Sequence, residues 1–180
     1  MADTAIGWSD MVWNPLVGCS RVSAGCQACY AERLAHRLAA MGQEKYRGLT
    51  KKVGDEIRWT GEVRFIESVL ALPLSWKKPR RIFVNSMSDL FHEKVADEWI
   101  DRIFAVMAQT ERHTYQILTK RPERMRAYSA TMAALDPQSR AIRIVRSMYR
   151  DHPAEGLVTG QIDRRAIGAF PWPLPNAHLG

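Results

Sequence analysis

An α/β protein with a parallel sheet is the fold class this chain predicts, and three observations carry it. Strand-like and helix-like runs alternate along the chain, the order that strands joined by crossover helices produce. The clearest strand, Ile82-Phe83-Val84, is a compact apolar run, as strands of parallel sheets are. The 180 residues, 46% apolar and 25% charged, suit a single domain over 1–180 with a sizeable core.

Residues 8–17 (WSDMVWNPLV) read as a short strand that Asn14-Pro15 breaks before a cysteine loop. Tyr30, Leu34, Leu38 and Met41 recur at helical spacing and Gly42 follows as a stop, which predicts a helix over 30–41 with those residues on its apolar face. Residues 43–52 are polar and basic. Ile57 and Trp59, then Val63 and Phe65, alternate on either side of Thr60-Gly61, so a small hairpin is expected as an insertion near 53–67. Lys77, Lys78, Arg80 and Arg81 around Pro79 introduce the strand at 82–84.

Trp99, Ile100, Ile103, Phe104 and Met107 share one face of a helix over 97–110, with acidic residues in its first turn. Residues 114–118 form the next strand. Pro122 suits the first turn of a helix running to about residue 135. A further helix over 138–150 places its apolar residues on one side and Arg140, Arg143, Arg146 and Arg150 on the opposite arc. The Pro-rich tail leads to Asn-Ala-His-Leu-Gly, which reads as a strand just beginning.

No run of about 18 apolar residues exists, which argues against a membrane-spanning helix. The first ten residues carry Asp3 and Asp10 and no basic n-region, unlike a secretory signal. Three cysteines without a signal argue against a disulfide framework and for the reducing cytoplasm. The formal charge of +7, from 26 Lys+Arg and 19 Asp+Glu, suits a polyanionic partner or simply a solvated surface. A nucleic acid is the polyanion considered, held by Lys77, Lys78, Arg80 and Arg81 and by the arginines of the helix over 138–150.

The chemistry concentrates in Gly18-Cys19-x6-Cys26-x2-Cys29-Tyr30, with Gly25 before the second cysteine. Three thiolates with no fourth suggest a metal centre with one open coordination position. Zinc in a structural site wants four ligands. The nearest histidine, His36, lies two helical turns beyond Cys29 and also reads as an ordinary helix residue. A [4Fe–4S] cluster fits the short thiolate loop better, with glycines letting backbone N–H groups approach the sulfides and a helix N-terminus beside Cys29. Zinc with structural cysteines, in a non-enzymatic zinc- or nucleic-acid-binding module, remains the alternative, as do three thiols with no metal.

Cys19-x6-Cys26-x2-Cys29-Tyr30, preceded by Trp13-Asn14-Pro15, resembles the phage-associated three-cysteine-motif family of unknown function. The likeness continues through residues 83–92 (FVNSMSDLFH) and 118–125 (LTKRPERM) and ends at Pro173-Leu174-Pro175-Asn176. That family is similar to the radical S-adenosylmethionine (SAM) enzymes, closest to the spore-photoproduct-lyase-like branch, although the superfamily usually has three residues where this loop has six. The resemblance implies a partial (β/α) barrel of the radical SAM type, with a [4Fe–4S] cluster on Cys19, Cys26 and Cys29 and SAM on the open iron. It implies that Asn85, Ser86, Ser88, Asp89, Thr119 and Lys120 bind the cofactor, the first four helping to seat SAM and Lys120 facing the barrel mouth. Asp89 also reads as a turn cap and Lys120 as a surface lysine, while His92 and Glu93 read as solvated. A phage-encoded protein partner is implied too. Relatives continue beyond Leu-Gly, so the resemblance implies a barrel incomplete at its C-terminus, with a truncated or inactive relative as one expectation.

Overall fold

The computed structural model describes residues 7–149 and 170–180. In chain order the elements are β1 (Met11–Trp13), β2 (Leu16–Val17), α1 (Tyr30–Ala40), β3 (Thr50–Val53), β4 (Glu56–Trp59), β5 (Arg64–Phe65), α2 (Glu67–Leu70) and α3 (Leu72–Ser75). Then follow β6 (Arg81–Val84), α4 (Asp97–Ala108), β7 (Thr114–Ile117), α5 (Pro122–Ala134), α6 (Pro137–Tyr149) and β8 (Ala177–Leu179).

The main sheet has the order β1-β6-β7-β8, and every neighbouring pair is parallel. Each strand therefore joins the one before it without a reversal of direction across the sheet. Parallel neighbours need long crossovers. α1 through α3 lie between β1 and β6, α4 between β6 and β7, and α5 with α6 between β7 and β8.

Alternation along the strands decides which face is covered. Met11, Trp13, Ile82, Val84, Tyr115 and Ile117 are buried and share one core with Ile100, Ile103, Phe104 and Met107 of α4 and with Tyr128 and Met132 of α5. Val12, Phe83 and Gln116, on the other face, are half-buried. Trp13 is 1% exposed, and its indole N–H donates to the Val69 carbonyl (2.9 Å), so the largest core side chain keeps its polar group satisfied. A second cluster, Val17, Ala31, Ala35, Tyr46, Leu49, Trp59 and Met87, seats α1.

Three expectations are corrected. The hairpin is β3 with β4, turning at Gly54 (φ 59°) rather than at Thr60-Gly61, and β5 pairs with β2 instead. β3 is solvated along most of its length, with Lys51, Lys52 and Val53 exposed, so it carries no alternation to read. α1 buries Ala31, Glu32 and Ala35, leaving Tyr30 and Met41 exposed, because small side chains let it approach the second cluster closely. On α6, Arg140 is buried beside Ala141, Ile144, Ser147 and Met148. Arg143 donates to Asp101 Oδ2 (2.7 Å) and Asp97 Oδ2 (3.4 Å) on α4. Two of the four arginines therefore serve packing rather than a phosphate-binding stripe, Arg146 is exposed, and Arg150 lies outside the described residues.

Candidate functional site

The loop between β2 and α1 carries all three cysteines and stands at the C-terminal ends of the parallel strands, where ligands gather in open α/β sheets. Its first residue is fixed by backbone geometry. Gly18 (φ 92°) donates its N–H to Met87 O (3.0 Å), and a Cβ there would lie 2.1 Å from the Glu62 carbonyl oxygen. Only glycine fits. Ser88 completes the seam by donating from Oγ to Gly18 O (2.7 Å).

Arg121 organises the next residues. Its guanidinium donates from Nε to Glu93 Oε2 (2.8 Å), from Nη1 to Asp89 Oδ2 (3.1 Å) and Cys19 Sγ (3.7 Å), and from Nη2 to Ser20 Oγ (2.7 Å) and Ser20 O (3.2 Å). One side chain thus ties the end of β7 to the loop after β6 and to the cysteine loop. Asp89 accepts four bonds: from Phe91 N (2.9 Å) and Thr119 Oγ1 (2.7 Å) on Oδ1, and from Lys120 N (3.0 Å) and Arg121 on Oδ2. A carboxylate has about four such sites, so this one is filled from within the protein.

His92 is fully buried, which corrects its reading as solvated. Lys94 N–H donates to its Nδ1 (3.1 Å), so Nε2 carries the proton and donates to Ser20 Oγ (3.0 Å). The Ser20 hydroxyl in turn donates to Glu93 Oε1 (3.0 Å). The serine proton points away from the imidazole, the reverse of what a histidine-activated nucleophile needs. Burial and the Arg121 cation hold the imidazole pKa below its usual value. Glu93 is exposed yet engaged: burial pushes its carboxyl up, but its own backbone N–H, Arg121 and Ser20 outweigh this and hold it down at about 2.

A second arginine braces the loop from the other side. Arg21 grips Glu32 through Nε (3.0 and 3.1 Å) and Nη2 (2.6 Å), and Glu32 also accepts from Trp59 N (3.0 Å). Cys19 and Arg21 are therefore anchored, while Val22 to Gly25 and Gln27 and Ala28 are exposed.

The thiols differ. Burial pushes Cys19 up to about 11, partly offset by Arg121. Burial also pushes Cys26 upward, but backbone hydrogen bonds at Val22 and Ser23, the Ser23 hydroxyl (3.7 Å) and the Lys120 cation bring it below its ordinary value. Lys120 itself is exposed and lies over Gly25, where an added Cβ would be 3.1 Å from Nζ. Cys29 stands at the residue before the first turn of α1, and its side chain makes no capping hydrogen bond. All three are free and half-buried.

Among the described residues, no three His, Cys, Asp or Glu side chains are already gathered as a metal-binding group. The donor set itself fits a thiolate-bound centre. His92 has both ring nitrogens engaged, and His36 is hydrogen-bonded to Thr50 Oγ1 (3.2 Å) on β3, so sulfur is the donor left in the loop. The exposed half of the loop is the part that metal binding would order.

The other sequence-predicted residues divide. Ser86 Oγ donates to Asn14 Oδ1 (3.1 Å), and the Ser86 carbonyl accepts from Tyr30 OH (2.9 Å). Asn85 takes a left-handed conformation (φ 58°), its Oδ1 accepts from Leu16 N (3.1 Å), and its buried Nδ2 has no partner among the described residues. Thr119 bridges Asp89 and the Arg121 N–H (2.9 Å). The basic cluster stands apart. Lys77, Lys78, Arg80 and Arg81 precede or begin β6, at the N-terminal ends of the strands, and Arg81 pairs with Asp10 (2.8 Å). Nothing described joins it to the cysteine end.

Residues 3–180 match the family described as "Protein of unknown function (DUF5131)". The chain belongs to this family. No curated protein and no solved structure matches it. In this DUF5131 member the residues that sequence reasoning left out are Ser20, Arg21, Glu32 and Arg121, and His92 and Glu93 are the two it read as merely solvated. One signal for Arg121 was legible: it precedes Pro122, which keeps it out of the α region (φ −124°, ψ 64°) and ends the loop there. Among the described residues, no helix is long and apolar enough to cross a membrane.

Proposed function

We propose that this chain is an iron–sulfur protein of the radical SAM type. Cys19, Cys26 and Cys29 would hold a [4Fe–4S] cluster, and SAM would take the open iron. The observation that carries the reading is the placement of the three-thiol loop. It lies at the C-terminal ends of a parallel sheet whose strands run β1-β6-β7-β8 without reversal, the order found in (β/α) barrels. When bound, such a cluster supplies an electron to the sulfonium of SAM.

The chain's own residues do the rest. Arg121 and Arg21 fix the Cys19 end of the loop before any metal arrives. Lys120 favours the thiolate of Cys26, and the N-terminus of α1 beside Cys29 favours an anionic cluster, whereas Cys19 is held as a thiol by burial until a metal displaces its proton. Hydrogen bonding from Arg121 to the Cys19 sulfur lowers the electron density there and raises the reduction potential of whatever that sulfur binds. Asn85, with its unpartnered buried amide, is the group in the loop after β6 best able to donate to a cofactor. Asp89 holds the site together rather than contacting the cofactor.

Anaerobic reconstitution with iron and sulfide tests the reading. A broad absorbance at about 400 nm, lost in C19S, C26S and C29S, is the expected result. Stoichiometric zinc in aerobically purified protein, with no such absorbance after reconstitution, would overturn it in favour of structural cysteines.

A further inference from the structure

The free face of α1 carries groups that the cysteine network leaves unused. Ala31, Glu32 and Ala35 are buried, whereas Tyr30, Arg33 and Arg37 are exposed and Leu34 is half-buried. Positions 30, 33, 34 and 37 form one stripe of a helix. With Ala28 and Cys29 they line a cavity of about 470 Å³, within the size range of small-ligand sites.

Arg33 and Arg37 stand one turn apart, and among the described residues no carboxylate pairs with either. Arg21, Arg81, Arg121, Arg124 and Arg143, by contrast, each reach one. Like charges four residues apart on a helix repel, so this pair works against α1 until an anion sits between them. Paired guanidiniums with free forks match phosphate. Tyr30 supplies a different element. Its hydroxyl is tethered to Ser86 O (2.9 Å) while the residue stays 55% exposed, so an oriented ring borders the cavity. Lys51 and Lys52 on β3, which packs beside α1, extend the positive surface.

We propose that this cavity binds a nucleotide unit, free or within a strand, with Arg33 and Arg37 on the phosphate and Tyr30 stacked on the base. The site is separate from the basic cluster before β6 and from α6. It requires no metal in the loop. SAM has no phosphate, so the arginine pair selects a different ligand from the proposed cofactor, one lying beside Cys29.

Fluorescence anisotropy on the iron-free chain tests this, with a labelled short oligothymidylate as probe and unlabelled AMP as competitor. R33Q/R37Q should weaken strand binding at least tenfold and reduce the salt slope by about 0.7, the loss of one single-strand phosphate contact. Y30L should weaken it roughly tenfold through lost stacking. Both arginines are exposed, so the double variant should keep its far-UV spectrum, and Y30L is an independent arm. K77Q/K78Q should change binding by less than either. Displacement by AMP assigns a free nucleotide; strand binding that AMP cannot displace assigns a strand. Absence of saturable binding by both probes, or binding that R33Q/R37Q leaves unchanged, overturns the proposal. Without iron in the assay, that failure would leave the cluster reading standing, and loss of the cluster would leave this one standing.

Discussion

Arg121 joins Asp89, Glu93, Ser20 and Cys19 through one guanidinium, and its side chain is 8% exposed. Replacing it with leucine leaves the equally buried Asp89 carboxylate without its cation, and about 3 kcal/mol of stability should be lost. Arg121→Lys should recover only part, since an ammonium cannot fork to several acceptors. Urea denaturation of the two variants checks both statements. His92 and Glu93 add a pH dependence. The unfolded chain takes up a proton on histidine near pH 6.5, whereas the folded state resists it, so stability should fall as pH drops below 6.5. Glu93 contributes stability above its usual value of 4.5, and this is lost as pH falls towards about 2. Both slopes have the same sign, and His92→Gln, which keeps a donor to Ser20, should flatten the upper one in thermal melts across pH.

Elements are held to one another by a few positions where size is decisive. Gly18→Ala places a methyl group against the Glu62 carbonyl in a left-handed backbone and should cost about 3 kcal/mol. The loss should appear as a lowered urea midpoint together with disorder of the cysteine loop. Trp13→Ala should cost about 4 kcal/mol by emptying the space between β1 and α2 and orphaning the Val69 carbonyl. At this scale the sequence was readable where periodicity meets a stop signal. Gly42 ends α1 and Pro122 opens α5, and the helices over 97–108 and 137–149 show in their apolar spacing. β3 was hidden because Lys51 and Lys52 face solvent, leaving no alternation. Arg140 was misplaced because it lies at the edge of the arginine arc, and the face that α6 buries, through Ala141, Ile144, Ser147 and Met148, extends over that edge. The site was half legible: the cysteine loop and the residues after β6 and β7 are local motifs. The Arg121–Asp89 and Ser20–His92 links join residues 32 and 72 positions apart, which no local pattern encodes.

Across the whole molecule, the parallel sheet separates two ends. The C-terminal ends of its strands carry the thiols, the Arg121 network and the α1 cavity. The opposite end carries Asp10, Arg81 and the lysines before β6. Neutralising Lys77 and Lys78 should therefore leave both stability and the chemistry of the cysteine loop unchanged. The proposed centre at the cysteine end is a three-thiolate cluster with one open iron. Electron paramagnetic resonance of the reconstituted, dithionite-reduced protein, recorded with and without SAM, is the deciding measurement. A reduced-cluster signal whose g values shift when SAM is added is the predicted result. A cluster signal indifferent to SAM, or no cluster signal at all, would contradict it.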